Sequence, residues 1–288
     1  MGTQDHYLNK KIGIIGIGNM GESLVKGFLK ADSFVKENVV VYDCFPEKMA
    51  GLVKDYGVQG ASSSEELVAQ CDVVFLAVKP QDLGELLDDI SKKATDDKIF
   101  VSIIAGASIH FMRVKLGKNT KVIRLMPNTP CTIGAGVIGM AHNHRIEQED
   151  IELVLELLQH TGTVVKVKEE HMDAVTGLSG SGPAYVFLMI QSLASGGVKQ
   201  GLSREQSLIL AARTVEGAAK MVLETGQHPD VLKDMVSSPA GTAIHGLQFL
   251  EDAGVRGAFM QAVEVGSDRA FAIRKQAEEK RQRLKEQD

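Results

Sequence analysis

Near its amino terminus the chain reads Lys11-Ile12-Gly13-Ile14-Ile15-Gly16-Ile17-Gly18-Asn19-Met20-Gly21, an apolar run that leads into the pattern GxGxxG. The run predicts a buried strand, and the spaced apolar residues from Met20 to Leu29 predict a helix. A glycine turn between a strand and a helix is the phosphate-binding element of dinucleotide folds. There the first glycine permits the tight turn, the second lets a pyrophosphate approach the backbone, and the third lets the helix pack closely. The predicted dinucleotide contacts are therefore Gly16, Ile17, Gly18, Asn19, Met20 and Gly21.

The rest of the first half repeats this alternation of strand and helix. Apolar, β-branched runs predict strands at residues 12–17, 39–42, 73–78, 99–104 and 122–125, with 137–141 and 164–167 as candidate additions. Residues 64–69 and 83–92 predict further crossover helices. This order is typical of a mostly parallel sheet covered on both faces. After about Lys168 only helical patterns remain, so we predict an α/β Rossmann-type dinucleotide-binding domain at residues 1–168 and an all-α domain at residues 169–288.

One helix of the second half is unusual in composition. Residues 208–223 are apolar on most faces yet rich in alanine and glycine, which lets neighbouring backbones approach closely. Such a helix suits either the core of the chain or an interface between subunits, and both interpretations stay open.

Composition limits the possible partners and location. The net charge of −5 over 288 residues, with no block of like charge, argues against a nucleic acid or a membrane surface and leaves a small polar substrate. Cys44, Cys71 and Cys131 form no CxxC pair, so we expect free thiols in a reducing compartment. The first eleven residues are polar, unlike a signal peptide, and no apolar run is long enough to span a bilayer. We expect a cytoplasmic protein, and no metal site is predicted.

Asp43 bears on the choice of cofactor. A carboxylate at the end of the second strand accepts hydrogen bonds from an adenosine ribose but repels a 2′-phosphate, which favours NADH over NADPH. No arginine precedes Arg113, so the guanidinium that usually accommodates a 2′-phosphate is missing, although Lys48 is a weaker substitute. The alternative is that Asp43 is only a turn residue before Pro46.

Two proline-containing loops leave the carboxyl ends of predicted strands, where open α/β sheets bind their ligands. The first supplies Ala77, Val78, Lys79 and Pro80 as candidate cofactor contacts. The second supplies Asn128 and Thr129, which we expect to position the nicotinamide amide. The plainer alternatives are that Lys79 is a solvated charge and that Asn128 and Thr129 cap a turn.

Two segments of the helical half place small and hydroxyl residues at predicted helix starts: Asp173–Tyr185 and Lys233–Leu247. Backbone N–H groups exposed at a helix start bind anions, so residues Ser238 to Ala243 are a candidate cradle for a substrate carboxylate without any arginine. The alternative is ordinary capping by serine and threonine.

Taken together, these segments resemble the pyrroline-5-carboxylate reductase family over nearly the whole chain. The resemblance rests on the following motifs: GIGNMG at Gly16–Gly21, AVKPQ at Ala77–Gln81, RLMPNTP at Arg124–Pro130, DAVTGLSGSGPAY at Asp173–Tyr185 and SSPAGTAIHGLQFLE at Ser237–Glu251. It implies a Rossmann domain followed by a helical dimerisation domain, in a homodimer or higher oligomer. It also implies reduction of 1-pyrroline-5-carboxylate to L-proline by NADPH or NADH, the last step of proline biosynthesis. The active site would then lie between domains, with the second subunit contributing.

Residue by residue, the resemblance places the nicotinamide-side contacts on Ala77, Lys79, Asn128 and Thr129. It places the substrate cradle on Ser238, Gly241, Thr242 and Ala243, with Ser238 and Thr242 as the catalytic candidates. One position departs from the family, which usually has a threonine hydroxyl beside the ring nitrogen where this chain has Ala243. The backbone N–H survives that change, and we expect Thr242 or an ordered water to replace the hydroxyl.

Two other interpretations compete with this one. The β-hydroxyacid dehydrogenases share a GxxGxGxxxKxxxN motif, and Gly177, Gly180 and Gly182 match its first part, but Val186 and Ile190 replace the lysine and the asparagine. A non-catalytic dinucleotide sensor would need the glycine loop without the hydroxyl-rich helix starts. Because a protonated imine is already an electrophile, imine reduction needs no dedicated acid, and we assign none of the histidines, including His171 and His245, to catalysis.

Overall fold

The computed structural model describes residue 7, residues 9–31 and residues 34–285, with side chains described as far as residue 279. Most of the polar stretch on which the absence of a signal peptide was predicted, residues 1–6 and 8, lies outside the described residues. The described chain forms two compact units. The first comprises the described residues up to Gly180 and those from Gly266 onward, and the second comprises Ser181–Val265.

Within the described residues, one sheet of eight strands forms the centre of the first unit. The strands are β1 Ile12–Ile15, β2 Val39–Tyr42, β3 Gln59–Gly60, β4 Val73–Leu76, β5 Ile99–Ser102, β6 Lys121–Met126, β7 Gly136–His142 and β8 Gly162–Lys166. Their order is β3-β2-β1-β4-β5-β6-β7-β8, and β7 runs antiparallel to β6 while the other neighbouring pairs are parallel. The first six strands have the order of a doubly wound dinucleotide fold, whose direction of winding reverses between β1 and β4.

Helices cover both faces of this sheet, as the nearly continuous apolar strands require. Along β4, Val73 and Phe75 pack into one hydrophobic cluster, whereas Val74 and Leu76 pack into another. The helices of this unit are α1 Asn19–Phe28, α2 Pro46–Tyr56, α3 Ser64–Gln70, α4 Leu83–Ile90, α5 Ile109–Leu116, α6 Gln148–Leu158 and α7 Met172–Val175. Buried side chains of α1, α2 and α6 belong to the first cluster, and those of α3, α4 and α5 to the second.

Every element that follows residue 168 in the described chain is helical. A π-helical turn at Thr176–Gly180 follows α7, and then come α8 Gly182–Lys199, α9 Arg204–Thr225, α10 Pro229–Met235, α11 Thr242–Asp252 and α12 Val255–Lys285. The predicted domains meet between residues 168 and 169, whereas the compact units divide after Gly180 and before Gly266. The domain limits themselves stay a prediction.

Helices α8 and α9 pack against each other in the second unit. The start of α9 is fixed by a capping box in which Ser203 and Gln206 exchange side-chain to backbone hydrogen bonds. Close packing depends on Gly197, since a Cβ there would lie 2.8 Å from the Ser207 hydroxyl oxygen. Large side chains of α9 lie on the surface of the chain: Leu208, Ile209 and Leu210 are 52, 57 and 56% exposed. Within one chain these residues form no core, so the structure favours the interface interpretation of this helix.

The structure bears on two predictions: free thiols, and no segment that spans a bilayer. Cys44, Cys71 and Cys131 are free thiols, as expected. In the part of the chain that the structure describes, no helix combines the length and the apolar content needed to cross a bilayer.

Candidate active site

The glycine loop follows β1 and enters α1, and two of its glycines are required by packing. Gly16 has φ of 99° and donates its N–H to the carbonyl oxygen of Tyr42 over 2.8 Å. A Cβ at Gly16 would lie 2.7 Å from the carbonyl group of Ala77. A Cβ at Gly21 would lie 2.1 Å from the carbonyl oxygen of Gly16, so only glycine lets α1 begin this close to the turn.

Packing within the protein does not require a glycine at position 18. Its φ of −79° and ψ of −176° suit any residue, and no protein atom lies within 4 Å of the position of a Cβ. It is the N-cap of α1, which has no side-chain cap, so the N–H groups of Asn19, Met20 and Gly21 have no acceptor within the helix. Open space and free donors at a helix start fit a diphosphate, which supports the predicted role of this loop.

Asp43 lies directly after β2 and anchors the glycine loop. The N–H of Ile17 donates to Oδ2 of Asp43 over 2.6 Å, and the N–H of Phe45 donates to Oδ1 over 2.9 Å. The second bond is that of a turn residue before Pro46, as the plainer interpretation expected. The first bond reaches across to the glycine loop, which that interpretation did not include.

The loop after β4 lies beside the glycine loop. The N–H of Ala77 donates to the carbonyl oxygen of Ile15 over 2.8 Å, which joins the ends of β1 and β4 at the point where the winding reverses. Val78 is half-buried, whereas Lys79 and Pro80 are exposed, and the carbonyl oxygen of Lys79 closes a turn with the N–H of Asp82 over 3.0 Å. The structure thus brings Ala77 against Gly16 and leaves the Lys79 side chain on the surface.

Asn128, in the loop after β6, is buried and already has partners. Its Oδ1 accepts the N–H of Val137 over 3.0 Å, and its Nδ2 donates to the carbonyl oxygen of Ser179 over 3.1 Å. In an α-helix the Ser179 carbonyl would accept the N–H of the residue four positions later. That residue is Pro183, which has no N–H. Asn128 supplies the missing donor and ties the loop to the π-helical turn, while the neighbouring Thr129 is exposed. A contact from either residue to a nicotinamide stays a prediction.

The RLMPNTP motif, which contains Asn128, begins with Arg124, whose role the sequence did not indicate. This arginine on β6 is buried, and its Nη1 lies 3.4 Å from Oε1 of Glu169. Burial lowers the pKa of the Arg124 guanidinium, and the Glu169 carboxylate partly opposes that effect. The same carboxylate oxygen accepts the N–H of Ile109 at the start of α5 over 2.6 Å. A charged residue inside an otherwise apolar strand was the available signal.

The predicted carboxylate cradle lies in the second unit, at the start of α11. Gly241 is the N-cap, with no side-chain cap, and its N–H donates to the carbonyl oxygen of Ser238 over 3.0 Å. A Cβ at Gly241 would lie 2.3 Å from the hydroxyl oxygen of Ser238, so the serine side chain lies directly over the glycine. The N–H groups of Thr242 and Ala243 have no acceptor within the helix, as an anion site requires.

The turn before this helix contains Ala240, whose φ of 56° is in the left-handed region. It is the one non-glycine residue with a positive φ among the described residues. An alanine in this conformation is strained by roughly 1 to 2 kcal/mol, which the surrounding turn must offset.

The side chains that follow this helix start are mostly exposed. Thr242 is exposed and Ala243 is half-buried. His245 is also exposed, and its Nδ1 lies 2.9 Å from the carbonyl oxygen of Gly241, an ordinary contact within the first turn. No group of three or more potential metal ligands occurs among the residues that the structure describes.

The strand order, the switch point between β1 and β4 and the open glycine loop define a dinucleotide-binding protein of the Rossmann class. Comparison with known proteins makes this class more specific. A family model described as "Pyrroline-5-carboxylate reductase dimerisation" matches residues 169–273, and one described as "NADP oxidoreductase coenzyme F420-dependent" matches residues 11–106. The chain is 43% identical to a pyrroline-5-carboxylate reductase of Methanosarcina acetivorans, over 93% of this chain and 99% of the relative. It is 39% identical to that of Escherichia coli, over 89% and 95%.

Solved structures give the same result. A pyrroline carboxylate reductase of Plasmodium falciparum with NADP bound is 36% identical with a TM-score of 0.82, over 92% of this chain and 98% of that one. The corresponding enzyme of Coxiella burnetii is 30% identical with a TM-score of 0.86, over 91% and 98%. The chain belongs to the pyrroline-5-carboxylate reductase family. The predicted fold class is thereby confirmed, as is the prediction of an NAD(P)H-dependent oxidoreductase of this family.

Proposed function

We propose that this chain reduces 1-pyrroline-5-carboxylate to L-proline, as the last step of proline biosynthesis, and that the described helix starts hold both reactants. The observation that carries the proposal is the presence of two uncapped helix starts in a chain of this family. One follows the glycine loop at Asn19, and the other follows Ser238 at Thr242. Both present backbone donors to an anion, a diphosphate at the first and a carboxylate at the second.

NAD(P)H, when bound, supplies the hydride. On the protein side, Gly18 leaves space for the diphosphate, and the free N–H groups of Asn19, Met20 and Gly21 bind it. We assign the remaining contacts to Asp43 and to the loops that carry Ala77, Val78, Lys79, Pro80, Asn128 and Thr129. Asn128 acts chiefly by fixing its loop, because its side chain already bonds to Val137 and Ser179.

The substrate carboxylate is assigned to Ser238, Gly241, Thr242 and Ala243. The N–H groups at the start of α11 and the Ser238 hydroxyl donate to it, and the helix dipole adds a favourable field. Ala243 has no hydroxyl, so the contact to the ring nitrogen is assigned to Thr242 or to an ordered water. The residues orient the imine, which is sufficient because a protonated imine needs no further activation.

The exposed apolar surface of the second unit supports binding of this chain to further copies of itself. Phe187, Leu188, Phe249 and Met260 are all at least 62% exposed, more than a solitary subunit normally presents to water. We propose a homodimer or higher oligomer that forms through these helices and acts in the cytoplasm on a small-molecule substrate. A nucleic acid or a membrane is not among the proposed partners.

A steady-state assay tests the reaction and separates it from the two rival functions. The purified chain is supplied with pyrroline-5-carboxylate and either reduced coenzyme, and both coenzyme oxidation and L-proline are measured. We expect both, in equal amounts. Coenzyme binding without turnover would instead support a sensor. Turnover only when 3-hydroxy acids are supplied with NAD+ or NADP+ would support a β-hydroxyacid dehydrogenase.

A further inference from the structure

Two backbone hydrogen bonds fix the position of the Asp43 carboxylate. One oxygen accepts the Ile17 N–H over 2.6 Å and the other accepts the Phe45 N–H over 2.9 Å. A carboxylate has about four acceptor positions, and Oδ1 also accepts the Cys44 thiol at 3.7 Å, so Oδ2 keeps a position for a further donor. The two hydroxyls of an unmodified adenosine ribose are donors of this kind, whereas a 2′-phosphate adds mainly acceptors and negative charge.

The surroundings of Asp43 do not neutralise it. Among the described residues, Asp43 bonds to backbone donors and contacts the Cys44 thiol at 3.7 Å, but it has no ion pair. The nearest lysine in sequence, Lys48, has its ammonium 5.1 Å from the centre of the Phe45 ring. A 2′-phosphate at this strand end would therefore meet a fixed anion without a paired cation.

We propose that Asp43 is a specificity-determining residue that makes this chain prefer NADH to NADPH, by at least about tenfold in kcat/KM, a modest factor for a partly screened charge repulsion. The proposal rests on the proposed function only for the reaction used in its kinetic readout. The bond to Ile17 adds a second role, because the residue that selects the ribose also holds the glycine loop.

The two roles separate in suitable variants. Asp43→Asn keeps one acceptor oxygen for a backbone N–H and removes the charge, whereas Asp43→Ala removes the charge and both hydrogen bonds. We expect Asp43→Asn to lose most of the discrimination against the 2′-phosphate. We expect Asp43→Ala to lose that discrimination too and to bind either coenzyme more weakly, because the loop is no longer anchored.

The decisive experiment measures binding rather than turnover. Calorimetry compares ADP-ribose with 2′-phospho-ADP-ribose on the full chain, on Asp43→Asn, and on Glu47→Gln, a control that removes a nearby charge outside the proposed contacts. We expect the wild type and Glu47→Gln to bind ADP-ribose at least about tenfold more tightly, and Asp43→Asn to bind the two within about threefold. Kinetics with NADH and NADPH should show the same order.

Two results would overturn the proposal. One is tighter binding of the phosphorylated ligand to the wild type, and a loss of that binding in Lys48→Ala would then assign the phosphate to Lys48. The other is an unchanged ratio in Asp43→Asn while its thermal unfolding matches the wild type. Because neither ligand reacts, a failure of the proposed imine reduction leaves this test intact, and the two failures are distinguishable.

Discussion

The side-chain amide nitrogen of Asn128 lies 3.1 Å from the carbonyl oxygen of Ser179 and completes a hydrogen bond that Pro183 cannot make. The same side chain accepts the N–H of Val137. A residue predicted as a cofactor contact is thus also the link between the loop after β6 and the π-helical turn. Because Asn128 is buried and both partners are partly buried, the loss of either bond is destabilising.

This arrangement gives a stability prediction. Asn128→Ala leaves the Val137 N–H and the Ser179 carbonyl without their partners, so we expect it to lower the free energy of unfolding by about 2 to 4 kcal/mol. Thr129→Ala, next to it but exposed, should change it by no more than about 0.5 kcal/mol. Chemical denaturation measures both. Equal effects of the two substitutions would show that the Asn128 bonds do not stabilise the loop.

The glycine loop offers a matched pair of substitutions. Gly18→Ala places its methyl group where no protein atom lies within 4 Å, so the protein should fold normally but bind ADP-ribose at least about tenfold more weakly. Gly21→Ala directs a methyl group to 2.1 Å from the Gly16 carbonyl oxygen and should lower the melting temperature as well. Thermal unfolding and calorimetry separate the effects. Unchanged ADP-ribose binding in Gly18→Ala would place the diphosphate elsewhere.

Thr242 tests the substrate cradle. Removing one hydroxyl that forms a hydrogen bond with a bound ligand costs about 0.5 to 1.5 kcal/mol, so Thr242→Ala should raise KM for pyrroline-5-carboxylate by about 2- to 12-fold. KM for the coenzyme should stay the same. Thr242→Ser keeps the hydroxyl and serves as the control. If KM is unchanged in Thr242→Ala, the hydroxyl contact to the substrate must come from another group.

Ala240 gives a prediction in the opposite direction. Replacing it with glycine removes the strain of a φ of 56°, while the added freedom of the unfolded chain offsets part of the gain. We expect Ala240→Gly to raise the free energy of unfolding by about 0.5 to 1 kcal/mol. A destabilised variant in chemical denaturation would mean that the turn does not hold alanine in this conformation.

Much of the fold was predictable because local patterns and the tertiary structure agree. The predicted strands are all present, but those predicted at residues 12–17, 73–78 and 99–104 end at Ile15, Leu76 and Ser102. At the first and the third, the apolar run continues because Ile17 and Ile104 are buried within loops, where hydrophobicity no longer indicates a strand. The two-residue strand β3 was not predicted, since so short a segment carries no periodicity.

The candidate site was less predictable, for a different reason. The motifs located Gly18, Asp43 and Ser238, yet no sequence pattern indicates that Asp43 reaches the Ile17 N–H or that Asn128 reaches Ser179. Both bonds join residues far apart in sequence, so they depend on how the strands are ordered. The ion pair between Arg124 and Glu169 could not be predicted from the sequence for the same reason.

The proposed reaction passes hydride from the coenzyme to the imine carbon of pyrroline-5-carboxylate. Coenzyme deuterated at C4 of the nicotinamide is prepared in each of its two stereochemical forms, and the L-proline produced is analysed by mass spectrometry and NMR. We predict that one form transfers its deuterium to the former imine carbon, the carbon beside nitrogen that does not carry the carboxylate, with one L-proline per coenzyme oxidised. Coenzyme oxidation without deuterated proline from either form would show that hydride does not reach the imine.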